Sequence, residues 1–154
     1  MNLLQPAILF NFDRTECEIM AQDVTEALER AEQQWRDTNP EWKRKILQFQ
    51  DWQQRSKDRE RQAERAKKQK KDPDEPSIKD ISWESSFNPD DPSPQFSFAG
   101  GRNLYSRENM EEDVRGILRW VPRWAIAALR RGVAVHHAGM NKGYRTLVER
   151  QAII

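Results

Sequence analysis

The apolar positions of this chain change period along its length, and the changes mark out its elements. Residues 7–12 read Ala-Ile-Leu-Phe-Asn-Phe, bounded by Pro6 on one side and by Asp13 and Arg14 on the other. A short, nearly unbroken apolar run of this kind fits a strand covered on both faces in a parallel sheet. The spacing then becomes helical: Cys17, Met20, Val24, Ala27 or Leu28, Ala31 and Trp35 predict an amphipathic helix running to about Thr38. Thr15 is placed to cap it, with Glu16 and Glu18 near the positive end of its dipole. Asn39 and Pro40 break the helix, and Trp42, Ile46, Phe49 and Gln53, with Trp52 beside them, predict a second helix packed on the first.

Past Arg55 the apolar positions vanish into a basic run, Arg55, Lys57, Arg59, Arg61, Arg65, Lys67, Lys68, Lys70 and Lys71, interrupted by Asp58, Glu60 and Glu64. Good helix formers with no face to bury leave three readings open: a protruding helix that frays, an arm that contacts RNA, and disorder. Residues 72–101 carry five prolines and seven acids, the composition of a loop or disordered linker. Trp83, Phe87, Phe96 and Phe98 are anomalous there. They read as staples holding the loop to the domain, or as a motif for a partner.

Helical spacing returns after Ser106, a cap followed by Glu108, Glu111, Glu112 and Asp113. Val114, Ile117, Leu118 and Val121 make the stripe, Pro122 ends or kinks it, and a further helix from Arg123 reaches Arg130 and Arg131. Gly132 suits a left-handed helix stop. Val133, Ala134 and Val135 then predict a second buried strand, with His136 and His137 at its carboxyl end, where open α/β sheets place their ligands. Ala138 and Gly139 permit close backbone approach, and a helix follows from about Lys142. The expected architecture is therefore α/β, a βαβα path with right-handed crossover. Residues 1–38 and 105–154 would form one domain, interrupted by a helical and Pro-rich insertion over 39–104.

Composition limits the size of the core. Hydrophobic residues make up 36% of the 154 and charged residues 33%, against about 45–50% and about 25% in ordinary domains. A formal net charge of +1 selects no partner by global field, so a basic surface must be local. One cysteine excludes an internal disulfide framework and suits a reducing compartment. With no leader-like segment and no apolar stretch near the roughly 20 residues of a membrane span, the expectation is an intracellular, cytoplasmic chain without membrane contact.

Two segments carry a resemblance. GVAVHHAGMNKGYRTLVE, residues 132–149, preceded by Arg130 and Arg131, resembles the second RecA-like domain of superkiller-type superfamily 2 DExD/H-box RNA helicases. PAILFNFDRTECEIM, residues 6–20, resembles the first strand and motif IV of that domain, in the form found in the interferon-inducible antiviral branch and its fungal relatives. The resemblance implies a partial RecA-like, P-loop NTPase type parallel sheet, with Asn11, Asp13, Arg14, His136, His137 and Gly139 as RNA contacts. Arg65, Lys67, Lys68, Lys70 and Lys71 would be an accessory basic arm. It also implies ATP and magnesium in a full-length helicase, held with the first RecA-like domain, which is missing here. No G-x-x-x-x-G-K-[ST] and no Asp-Glu-x-Asp/His occurs in the sequence, so the chain reads as a helicase fragment, inactive alone, with weak, sequence-independent RNA binding.

Other chemistry is poorly supported by the residues. Adjacent histidines on a strand face opposite ways and cannot readily share an ion, and Cys17 has no metal spacing to them. Cys17 falls on the predicted buried face of its helix, unsuited to a nucleophile. Two other classes stay open: a non-enzymatic RNA- or protein-interaction module acting through the charged helix 41–71, and a small α/β enzyme of unrelated chemistry.

Overall fold

The computed structural model describes residues 7–69, 82–99 and 107–152. The described residues form helices α1 (Arg14–Thr38), α2 (Pro40–Gln69), α3 (Trp83–Ser86), α4 (Arg107–Ile117), α5 (Arg123–Arg130) and α6 (Lys142–Ala152), with a 3-10 turn at Pro94–Phe96. None of the described residues lies in a strand. No described helix is long and apolar enough to cross a membrane. Two compact units result, one from residues 1–34 and 92–154 and one from residues 35–91, so the divisions fall inside α1 and within the acidic segment.

The absence of strands overturns the expected α/β fold with its RecA-like parallel sheet. Residues 7–11 and 133–137 are irregular, not paired. The first run is not even buried: Ile8 is 75% exposed, Leu9 78% and Phe10 94%. In the second, the Val135 amide donates to the Tyr144 hydroxyl at 3.3 Å, where a sheet would have supplied a neighbouring carbonyl. An apolar run states that a segment is to be covered, not by what. Here the core of the first unit is made by helices.

That core is Val114, Val121, Ala125, Ile126, Leu129, Met140, Tyr144 and Leu147, with Met110, Ile117, Trp124 and Val148 packed against it. Helix α4 stops at Ile117, short of the predicted Val121, because Pro122 already serves as the N-cap of α5 and restricts the residue before it. Leu118 consequently leaves the stripe and is half exposed. Helix α5 ends in a Schellman motif: the Val133 amide donates to the Ala128 carbonyl and the Gly132 amide to Leu129, both at 2.9 Å. Gly132 has φ 75°, and a Cβ on it would overlap the backbone of Phe98 and Ala99. Both constraints demand glycine.

The register of α1 departs from the predicted stripe. Ala21, Thr25 and Glu32 are buried with Leu28 half-buried, whereas Met20 and Val24 are each 41% exposed. Glu32, only 3% exposed, binds the guanidinium of Arg131 at 2.7 Å through one oxygen and accepts the Ser93 amide at 2.8 Å through the other. Arg131 also donates to the Phe96 carbonyl at 3.0 Å, and its own carbonyl accepts the Phe98 amide at 2.7 Å. The cap of α1 also lies earlier in the chain than expected: Asp13, not Thr15, accepts the amides of Thr15 and Glu16, at 2.8 and 3.2 Å. Ser106 lies outside the described residues.

The second unit is held by aromatic rings. Asn39 caps α2 through the Trp42 amide at 2.8 Å, with Pro40 as its first residue. Phe87 packs edge-on against Trp42, Phe49 and Trp83, with centroids 5.9, 5.1 and 5.4 Å away. Arg36 lies 4.4 Å over Trp42 and donates to the carbonyls of Pro89 and Asp91. Trp83 and Phe87 thus fold the loop back on α2. Residues 72–81 of the expected linker, and 100–101, lie outside the described residues.

Two outcomes follow from these interactions. Removing one partner of the Glu32–Arg131 pair strands a buried charge, which costs about 3–5 kcal/mol. Arg131→Ala should therefore unfold the first unit at much lower urea, as read by circular dichroism, and Glu32→Ala less so, because Arg131 keeps Glu29 at 3.8 Å. The fully buried Tyr144 hydroxyl has its pKa raised above 10.0 by desolvation, only partly offset by the Val135 amide. Stability from this group is complete below the unfolded value and is lost as pH rises past it toward the folded one. The melting temperature should fall above about pH 10, and Tyr144→Phe should flatten that alkaline limb.

Candidate functional site

The groups that carry the resemblance converge at one edge of the first unit. The chain leaves α5 through Gly132, passes irregularly to His137, turns through Ala138 and Gly139, and enters α6. The Met140 amide closes the turn on the His137 carbonyl at 3.0 Å. Asn141 caps α6, its side-chain oxygen accepting the amides of Gly143 and Tyr144 at 2.8 and 3.3 Å.

His137 is fixed from both ring nitrogens. The Gly139 amide donates to Nδ1 at 3.1 Å, so Nδ1 carries no proton in this arrangement. Nε2 carries it and donates to Glu18 on α1 at 2.9 Å, across 119 residues of sequence. Arg14 sits one turn before Glu18 on the same face, and its Nη1 lies 3.9 Å from where a Cβ on Gly139 would be. A side chain at 139 would also meet the His137 ring at 3.1 Å. Glycine keeps the turn open to both.

The sequence-derived residues separate into three groups. Arg14, His137 and Gly139 meet. Asn11 and Asp13 lie close by but are spent locally, Asn11 accepting the Asp13 amide at 2.9 Å and Asp13 capping α1. His136 turns away to Glu149 on α6, at 2.8 Å and largely exposed. The two imidazoles therefore serve different carboxylates. In the basic arm, Arg65 is exposed on α2, Lys67 and Lys68 fall in its last turns, and Lys70 and Lys71 lie outside the described residues.

Sequence reasoning missed Glu18, although its position four residues after Arg14 is the signal that both share a face. It also missed cations at the start of α6. Lys142 is exposed, and the Arg145 Nε is buried without a hydrogen-bond partner among the described residues. The amides of Asn141 and Lys142 carry no hydrogen bond among the described residues, leaving donors at the positive end of a helix. A separate open groove of about 350 Å³ runs along α4 and α6, lined by Asp113, Ile117, Lys142 and Thr146, among others. The ion pair of Arg150 with Asp113, 3.0 Å long, flanks it.

The tautomer of His137 is open to measurement. At a pH where the ring is neutral, nitrogen-15 NMR should find the proton on Nε2, and Glu18→Ala should weaken that preference without abolishing it, because the Gly139 amide still donates to Nδ1. A folded chain with Nδ1 protonated would contradict the geometry.

Comparison of the chain with family models, with curated proteins and with solved structures yields no match.

Proposed function

We propose that this chain contacts RNA through phosphate and sugar groups, without reading bases, at the edge formed by Arg14, His137, Gly139 and the start of α6. The observation that carries the reading is the meeting of the two resembling segments, by the His137–Glu18 hydrogen bond and the approach of Arg14 to Gly139. The chemistry of the edge supports it. Arg14 has no ion-pair partner among the described residues and is exposed, Lys142 stands at a helix N-terminus, and adjacent amides point to no carbonyl. Such groups position a nucleic-acid backbone. Following the resemblance to superfamily 2 RNA helicases, the interaction belongs to an ATP-dependent helicase whose ATP and magnesium sit on another domain. This chain turns over no ATP by itself.

A second reading has its own observation. From Gln53 to Arg65 nearly every side chain of α2 is exposed, and its cations outnumber its acids there. Internal pairs such as Arg55 with Asp51 and Arg61 with Asp58 occupy some of them. The remainder is a solvated basic surface that adds to RNA binding without defining a site.

Fluorescence anisotropy with labelled single-stranded RNAs of different sequence separates these. All should bind comparably, with affinity falling steeply with salt. Arg14→Gln with Lys142→Gln should weaken binding and reduce the log–log salt slope by roughly 0.7 for each phosphate that is no longer neutralised. Replacement of Arg65, Lys67, Lys68, Lys70 and Lys71 by Gln should act to a smaller extent. An unchanged affinity and slope in the first variant, with a large drop in affinity in the second, would move the site to α2. Strong sequence preference would refute backbone recognition altogether.

A further inference from the structure

Where α4 gives way to α5, the first unit turns one large aromatic ring outward among cations. Trp120 is 72% exposed, whereas Val121 beside it is buried and Trp124 packs against the core. The corner is held in place all the same, because the Trp120 amide donates to the Ile117 carbonyl at 2.9 Å and Val121 anchors the next residue. Arg115, Arg119 and Arg123 flank the ring in sequence, and each is exposed and without an ion-pair partner among the described residues. The acids of residues 111–123 are Glu111, Glu112 and Asp113, and two of them are already engaged, Glu111 by Arg130 at 2.8 Å and Asp113 by Arg150 at 3.0 Å. We propose that this corner is a stacking platform for an unpaired base of single-stranded RNA, with Trp120 against the base and the arginines on the flanking phosphates.

Charge complementarity selects that occupant. A single strand offers flat bases and anionic phosphates together, the combination that an exposed ring among uncommitted guanidinium groups matches. A protein partner fits less well. Interface cores are depleted of charge and take about 800 Å² from each side, whereas one tryptophan supplies at most about 250 Å² and its apolar neighbour Leu118 is half covered. The corner is also continuous with the RNA edge proposed above. Ile117 ends α4 against the start of α6, since a Cβ on Gly143, the residue after Lys142, would stand 2.8 Å from the Ile117 Cγ2. A strand held at Lys142 therefore has only Ile117 to pass before the turn that carries Trp120. The inference rests on the RNA reading for the class of polymer and adds a base contact to it. Stacking tolerates any base, so recognition stays independent of sequence.

Fluorescence anisotropy of the full chain tests this with two labelled probes, a mixed-sequence single-stranded RNA and an abasic sugar–phosphate strand of the same length. Trp120→Ala should weaken binding of the RNA by about 5-fold or more, as the loss of one stacked base requires. It should leave the log–log salt slope unchanged, because no charge is removed, and should not alter binding of the abasic strand. Trp120→Phe should recover much of the loss, and the helical circular dichroism spectrum should be the same in both variants because the ring is exposed. Replacing Arg115, Arg119 and Arg123 by Gln should weaken both probes and lower the slope by roughly 0.7 for each phosphate released. Unchanged RNA affinity in Trp120→Ala, or an equal loss on both probes, would overturn the platform. If Arg14→Gln with Lys142→Gln abolishes binding while Trp120→Ala does nothing, the platform falls and the edge stands; the reverse pattern supports the platform and removes the edge. A chain that binds neither strand overturns both readings and leaves a protein as the occupant of the corner.

Discussion

The first unit depends on one buried charge pair. Glu32 and Arg131 stand 99 residues apart in sequence and 2.7 Å apart in space, and each is almost removed from water. A carboxylate and a guanidinium are costly to desolvate, so the pair persists only because their remaining hydrogen-bonding capacity is largely used. Glu32 takes the Ser93 amide, and Arg131 donates to the Phe96 carbonyl. Those bonds draw the segment after Ser93 against the end of α5, where only Gly132 leaves room for it. The same pair sets the rotation of α1 that buries Ala21 and Thr25, and that rotation brings Glu18 and Arg14 to the His137 turn. Site geometry is thus a consequence of packing some distance away.

How much of this was legible in the sequence follows from what each signal encodes. Helix boundaries set by local chemistry were readable: Asn39 and Pro40 at the start of α2, and Gly132 after α5. The stripe of Trp42, Ile46 and Phe49 also lies inward in the second unit. The register of α1 was not readable, because apolar spacing ranked Met20 and Val24 above a glutamate. Only the distant Arg131 makes Glu32 an interior residue. The strands failed for a related reason. Residues 7–12 and 133–135 have strand composition, but composition carries no information about a pairing partner, and a hydroxyl from Tyr144 takes the amide that a ladder would have used.

The candidate site was legible in part. Arg14, His137 and Gly139 come together, whereas Asn11 and Asp13 prove to be capping residues and His136 belongs to a surface pair with Glu149. A short polar residue before a helix is ambiguous by nature, since the oxygen that would meet a ligand is the one that satisfies the first free amides. The sequence singled out His137 but not its hydrogen-bond partners. Its role depends on a carboxylate from α1 and an amide from its own turn, which together fix one tautomer.

The absence of the expected sheet does not carry the RNA reading away with it, because the two rest on different physics. A parallel sheet requires long-range pairing of several strands, each with a partner on either side. Holding a phosphate requires an exposed cation, one or two free amides at a helix start, and a turn without a side chain in the way. In the proposed reading, Arg14, Lys142, the amides of Asn141 and Lys142, and Gly139 are the groups that would supply these conditions within a helical scaffold. Function of this kind resides in the local arrangement and tolerates different architectures behind it. What the scaffold must supply is the distance between α1 and the turn, and the Glu18–His137 hydrogen bond sets that distance directly.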